Sequence, residues 1–341
     1  MSCTLLFTTL TEGERAVIQA SERLRVLARC SVLGSFFALL FSLPLFYFFG
    51  ISGIVPAIIA HTFSIWVVIK PVKMSWTETY RQGKNIASLG IYMTVSGFVT
   101  TLYSYLFVAW LNDRGGTGEV GFFQAGYTLV MQYVGLVFTA MSMEYYPRLS
   151  AVCEDKVLLS EHVTRQVETS LLILAPVISL FLIFQNLIIH ILYTSAFLAI
   201  SGYISWAVLG MLFRAFSWSV SFVLLAKGAG RIFLITEIVA DSLMFVMYLV
   251  GYTHWGLQGV GVAYLLAYLF SMTGIYMVCH LKFGLHIPVR MFVSLFVYSS
   301  LCYFVWLLWS NDCLAGAYSL TAFICLFTGF QLKKKIFCKS K

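Results

Sequence analysis

Charge is what this sequence has least of. Of its 341 residues, 14 are Asp or Glu and 22 are Lys or Arg, 11% together. A water-soluble globular domain carries about 25% charged residues. A chain with less than half that share cannot cover a surface that faces water. Long hydrophilic segments are also scarce. The largest internal ones fall at about 70–87 and 142–167, too short for a nucleotide-binding domain. No GxxxxGK[ST] phosphate loop occurs, so ATP-driven transport by this chain alone is not expected. The eight cysteines form no CxxC pair, which argues against a zinc site or a disulfide framework. Residues 1–10, MSCTLLFTTL, lack the charged n-region of a secretory signal.

What the chain has instead is hydrocarbon. Hydrophobic residues make up 60% of it and aromatics 17%. A helix rises about 1.5 Å per residue, so crossing about 30 Å of bilayer core takes roughly 20 apolar residues. Ten runs meet that length, at about 31–49, 51–69, 88–111, 121–141, 168–193, 201–226, 232–252, 257–279, 290–310 and 314–332. Irregular backbone facing lipid would leave its polar groups unpaired, so each run is read as a helix. The expected fold class is all-α: a polytopic integral membrane protein of about ten transmembrane helices.

The formal charge is +8. In a soluble protein that excess would suggest nucleic acid, but here the basic residues lie between the apolar runs and report topology. With the N-terminus inside and the spans alternating, twenty of the twenty-two Lys and Arg residues fall on the inner side. Arg114 lies outside and Arg214 within a span. The positive-inside rule thus supports both the number of spans and their direction. Both termini are expected in the cytoplasm. Trp110, Trp255 and Trp309 fall near outer helix ends, where interfacial aromatics anchor a helix.

Three ionisable residues sit at bilayer depth, where each costs about 3 kcal/mol or more on insertion scales. Arg214 lies near the centre of span six, and Glu237 and Asp241 lie in span seven. The last two are four residues apart and share a helix face. Counting from the turn near residue 229 puts Arg214 and Asp241 within about 5 Å in depth. They are expected to pair or to share one cavity. One reading is an ion pair that fixes helix packing. The other is that Arg214 meets an anionic substrate group while an acidic residue takes up a coupling H+ or Na+. A planar guanidinium suits phosphate because it donates two hydrogen bonds at once. No other cofactor and no metal are expected.

Weaker signals are Pro44, Pro56 and Pro176 inside spans, and His190 near an outer helix end. Gly256, Gly259 and Gly261 open span eight and are expected to allow close helix contact. Residues 155–167 carry Leu159, Val163 and Val167 at helical spacing, the pattern of a short helix lying on the inner membrane surface.

Four stretches in order carry a resemblance: LARCSVLGSFFALLFSLPLFYFFGISGIVPAIIA at 27–60, EVGFFQAGYTLVMQYVGLVFTAMSMEYYPRLSA at 119–151, FSWSVSFVLLAKGAGRIFLITEI at 216–238 and WGLQGVGVAYLLAYL at 255–269. The chain resembles bacterial O-antigen translocases. These are polysaccharide flippases of the multidrug/oligosaccharidyl-lipid/polysaccharide exporter superfamily. The resemblance implies two helical lobes around a central cavity and alternating access. It implies a cargo of undecaprenyl-diphosphate-linked oligosaccharide, location in the bacterial inner membrane, and the polysaccharide polymerase and assembly machinery as partners. Aligned this way, the chain starts just before the family's fifth helix. Residues 1–30 are then a cytoplasmic segment and 31–70 a two-span remnant of the first lobe. Residues 71–87 connect the lobes, 88–280 form a six-span second lobe, and 281–341 add two spans and a basic tail. Arg214, Glu237 and Asp241 would face the cavity. Arg148, Lys227 and Arg231 at the inner rim would meet the diphosphate or simply obey the positive-inside rule.

A flippase makes and breaks no bond, so the chain is not expected to be an enzyme. A small-molecule or drug antiporter of the same superfamily would share the fold, and a truncated, non-functional remnant would share the sequence. A membrane-bound polymerase or glycosyltransferase would carry a large loop rich in carboxylates or histidines. The outer loop at 112–120 holds only Asp113, Arg114 and Glu119 as charged groups.

Overall fold

A computed structural model describes residues 8–9, 11–12, 24–53, 56–59, 63 and 76–339. The main helices are α1 (Leu24–Phe49), α2 (Trp76–Ala151), α3 (Lys156–Leu192), α4 (Ser201–Ala226), α5 (Gly230–Phe283), α6 (Val289–Ser310) and α7 (Leu314–Lys339). No strand occurs among the described residues. Seven helical segments there are long and apolar enough to cross a membrane. Their outer surfaces expose Phe98, Leu106, Val239, Phe270, Phe296 and Leu326 at 47–75%, as a lipid-facing surface requires. The chain is a multi-pass helical membrane protein, as expected.

Two of the seven segments are hairpins drawn as one helix. In α2 the helix breaks at Gly116, whose φ of +77° and ψ of 178° suit glycine. Phe107 and Phe123 then meet with ring centroids 5.0 Å apart, so the two limbs run antiparallel as spans three and four. In α5 the break falls at Trp255 and Gly256, the latter at φ +59°. Spans seven and eight pack directly behind it. A Cβ on Gly251 would strike the Gly259 carbonyl oxygen, and one on Gly259 would strike Gly251's. Counting each hairpin as two crossings recovers nine of the ten expected spans. The tenth, span two at 51–69, lies mostly outside the described residues.

The chain divides into two compact units, one of residues 1–84 and 141–148, the other of 85–140 and 149–341. In the first, α1 carries Pro44 and exposes Phe36, Phe41, Leu43, Tyr47 and Phe48.

The second unit is built around α4, span six, which is buried on nearly every side. Small residues let its neighbours approach. A Cβ on Gly126 would strike the Tyr203 ring, one on Gly210 the Tyr264 ring and the Leu265 backbone, and one on Gly261 the Tyr203 carbonyl. Contact order tests the alternation of the spans. Span four meets span six at Gly126–Tyr203 and Phe138–Trp218. Span three meets span seven at Tyr103–Phe245 and Trp110–Tyr252. Both pairs advance together along the chain and so run parallel. Spans five and ten meet at Phe184–Tyr318 and Glu168–Lys335, running opposite. Every direction agrees with strict alternation. Arg165, Lys227, Arg231, Lys282, Arg290 and Lys335 therefore collect at one end of this unit, and Arg114 at the other.

One expectation is corrected. Residues 155–167 do not form a separate surface helix. Asp155 caps the N-terminus of α3 by accepting from the Val157 and Leu158 amides at 2.8 and 3.1 Å, and the helix continues unbroken through span five. Leu159, Val163 and Val167 are fully buried against protein. An apolar stripe at helical spacing is the same whether it faces lipid headgroups or neighbouring helices, so periodicity alone could not separate the two.

Candidate functional site

Arg214 is held by span six at mid-depth, in a sleeve of soft and aromatic groups. Its Nη1 donates to the Tyr264 hydroxyl at 3.1 Å and lies against the Met131 sulfur. The guanidinium carbon stands 5.5 Å from the Tyr268 ring centroid and 5.7 Å from that of Phe138. Cation–π attraction grows as water is excluded, and guanidinium is the cation most weakly hydrated. These contacts let an arginine remain at bilayer depth without a carboxylate beside it. Among the described residues no Asp or Glu oxygen lies within 4.0 Å of it.

The Arg214–Asp241 ion pair is therefore not formed. Asp241 instead accepts a hydrogen bond of 2.6 Å from the Thr100 hydroxyl. Along the same interface the Tyr103 hydroxyl donates to that of Ser242 at 2.8 Å, and Ser242 in turn donates to the Ile238 carbonyl at 2.7 Å. Counting residues fixes depth but not azimuth, and azimuth turned Asp241 toward span three rather than span six. Glu237, one helix turn before Asp241, lies within electrostatic reach of both Asp241 and Arg214.

Thr100 has a second face. Together with Thr101, Ser104, Gln124, Tyr127 and Thr128 it lines a cleft of about 430 Å³ between spans three and four. The cleft runs from mid-span toward the Arg114 end. With Tyr105 it places six hydroxyls and an amide within a largely apolar hairpin. Thr100 joins the cleft to Asp241, and Tyr127 on the cleft wall lies within electrostatic range of Arg214, so the cleft and the charged residues are neighbours in one polar zone. Such a zone can hold water and a hydroxyl-rich or anionic ligand, and can pass charge to Asp241 through Thr100. No cluster of potential metal ligands occurs among the described residues.

Sequence reasoning found the charges of this zone and missed its neutral members. Their signal was present: Thr100, Thr101 and Ser104 at i, i+1, i+4, then Gln124, Tyr127 and Thr128 at i, i+3, i+4, each cluster on one helix face within an apolar run. Of the expected rim residues, Lys227 caps α4 and pairs with Glu154 at 3.6 Å. Arg231 is exposed one turn on. Arg148 belongs to the other compact unit and pairs with Glu144 at 2.7 Å.

Among the described residues, a bundle of apolar helices gathers polar groups at mid-depth with an open cleft beside them. A solved structure of the same form is titled lipid II flippase MurJ, in an inward closed conformation. It aligns with a TM-score of 0.65 and 14% identity over 98% of this chain and 73% of its own, so this chain has the fold of that flippase. Residues 1–202 match the polysaccharide biosynthesis protein family over more than half of the sequence, and the chain belongs to that family. The family and the fold that the resemblance implied are thereby borne out. No curated protein matches it in sequence.

Proposed function

We propose that this protein carries an undecaprenyl-diphosphate-linked oligosaccharide, an O-antigen or other surface-polysaccharide repeat unit, from the inner to the outer leaflet of the bacterial inner membrane. The carrying observation is the polar zone at mid-depth: an arginine without a carboxylate partner, two acidic residues and a hydroxyl-lined cleft in a lipid-facing bundle. Membership of a polysaccharide biosynthesis family supports the cargo class, and the flippase fold supports the mode of movement.

In this reading the polyprenyl tail stays in lipid while the sugar head crosses a wet path. Hydroxyls and the Gln124 amide replace water around the sugar. Arg214 offers the diphosphate a bidentate donor, for which it must leave the Tyr264 hydroxyl. Asp241 and Glu237 take up a coupling H+ or Na+, and the lobes rock between inward- and outward-open states. Lys227, Arg231 and Arg148 lie on the cytoplasmic side and attract the diphosphate before it enters. Both termini are cytoplasmic, and the polymerase that consumes the unit works on the opposite face.

The test is complementation of a flippase-null strain by the full chain, read as surface polysaccharide. Asp241→Asn is expected to abolish complementation while the protein still reaches the membrane in normal amount. Full activity in Asp241→Asn, or drug resistance in place of polysaccharide export, refutes the reading. The second outcome would make the chain a small-molecule antiporter.

A further inference from the structure

Spans five, nine and ten enclose a second site that shares no residue with the cleft. At the basic end of the unit, a polar pocket of about 440 Å³ is lined by the basic Arg165, Arg290 and Lys335, the acidic Glu161 and Glu168, and Ser160, Thr164 and His286. The carboxylates are already spoken for. Arg165 pairs with Glu161, and Lys335 pairs with Glu168 at 2.7 Å. Arg290 has no carboxylate within ion-pair distance among the described residues, so the pocket keeps one positive charge uncompensated. Arg290 sits in the first turn of α6, behind Pro288, which supplies no side-chain cap. The Met291 N–H is bonded to the Pro288 carbonyl at 2.9 Å, and the positive end of the helix dipole adds a further pull on an anion.

Directly above the pocket lies an apolar groove of about 520 Å³, and Glu168 lines both. Leu171, Leu172 and Met291 form its buried floor. Val293, Val297, Phe323 and Phe327 form walls that are 42–56% exposed. The groove runs along α6 from Met291 to Leu301. Ten residues at about 1.5 Å each make roughly 15 Å, half the thickness of a bilayer core.

We propose that this paired pocket and groove is a binding site for an anionic glycerophospholipid of the leaflet on the basic side. The headgroup phosphate sits against Arg290, with Arg165, Lys335 and the Ser160 and Thr164 hydroxyls around it, and one acyl chain fills the groove. A single phosphate with a small polar substituent suits the pocket, while a long oligosaccharide does not. The lipid ties α6 and α7 to span five and remains in its leaflet while the cargo crosses elsewhere. The inference does not rest on the identity of the cargo.

Native mass spectrometry of the full chain in detergent tests it, with phosphatidylglycerol and phosphatidylcholine of identical acyl chains at equal ratio. Phosphatidylglycerol is expected to stay bound at least fivefold more than phosphatidylcholine. Arg290→Gln is expected to bring it down to the phosphatidylcholine level, and Arg290→Lys to restore part of the difference. Val297→Trp, which fills the groove, is expected to reduce retention of both lipids. Melting curves in lipid-free detergent check that each variant is folded, and Val293→Phe replaces Val297→Trp if that chain does not fold. Equal retention of the two lipids by the native protein, or unchanged retention in folded Arg290→Gln, overturns the proposal. Stabilisation by glycerol phosphate alone, equal to that by the whole lipid, overturns it too, since the ligand would then be a free phosphate.

Discussion

Span six and span three are both about as long as the membrane is thick, yet they are used in opposite ways. Span six is surrounded by protein, and its buried positions include Ile204, Val208, Met211, Ala215 and Val220. Span three exposes Ile91, Val95, Phe98, Leu102 and Tyr105. The buried span carries a full charge, and the exposed one carries only hydroxyls. That distribution follows from solvation. A guanidinium at mid-depth needs a dense shell of polarizable groups, which only a central helix can assemble. A threonine can satisfy its own hydroxyl by donating to the carbonyl four residues back, as Thr94 and Thr101 do to Gly90 and Gly97, and so survives near lipid. The packed region holds the charge, and the loosely packed region supplies the opening beside it.

The strongest way to break this contrast is to force apart the closest helix contact. Gly259→Leu would drive a side chain into the Gly251 carbonyl. Overpacking costs about 1–3 kcal/mol even where side chains can yield, and backbone yields less. We expect no monodisperse protein by size exclusion in detergent. Arg214→Met should act differently. Replacing a buried cation by an apolar side chain of similar length is often neutral or stabilising. The melting temperature should hold or rise while complementation falls at least about 100-fold, equivalent to about 2.7 kcal/mol. Normal export by Arg214→Met would reduce the arginine to packing.

A smaller effect is expected on the exposed side. Thr100→Val removes the donor to Asp241, and a hydrogen bond to a charged group contributes about 1.5–3 kcal/mol. Export should fall roughly tenfold, with Thr100→Ser restoring it, as measured by surface polysaccharide against time. Gly97→Ala should be the mildest change. A Cβ there meets nothing within 4 Å, and alanine favours the helix by up to about 1 kcal/mol. Melting temperature and export should both be unchanged or slightly improved. Serious damage at Gly97 would mean that this face is covered rather than open.

Much of the architecture was legible because a bilayer imposes one length on every crossing helix. The run lengths located spans three to ten, and the backbone breaks at Gly116 and Gly256 fall between the runs that they separate. Gly259 and Gly261 were read as packing residues, and the backbone of a neighbouring span lies against each of them. The candidate site was legible only in part. Arg214, Glu237 and Asp241 stand out because charge at depth is rare, whereas Thr100, Ser104 and Gln124 do not, since a neutral polar residue lowers hydropathy too little. The helix at 155–167 was misjudged for a related reason: Leu159, Val163 and Val167 announce an apolar face without saying what covers it.

The sequence by itself determined that the chain is a set of apolar helices, how many residues each needs to cross, and which ends carry the basic residues. Those properties depend on transfer from water to hydrocarbon, a quantity that sums along the chain. Tertiary structure alone decided that Asp241 turns to Thr100, that Arg214 is wrapped by Tyr264, Tyr268, Phe138 and Met131, and that a cleft opens between spans three and four. Those outcomes depend on how each helix is rotated about its axis. The rotation is set by close contact between small residues on neighbouring spans, and no sum over one span contains it.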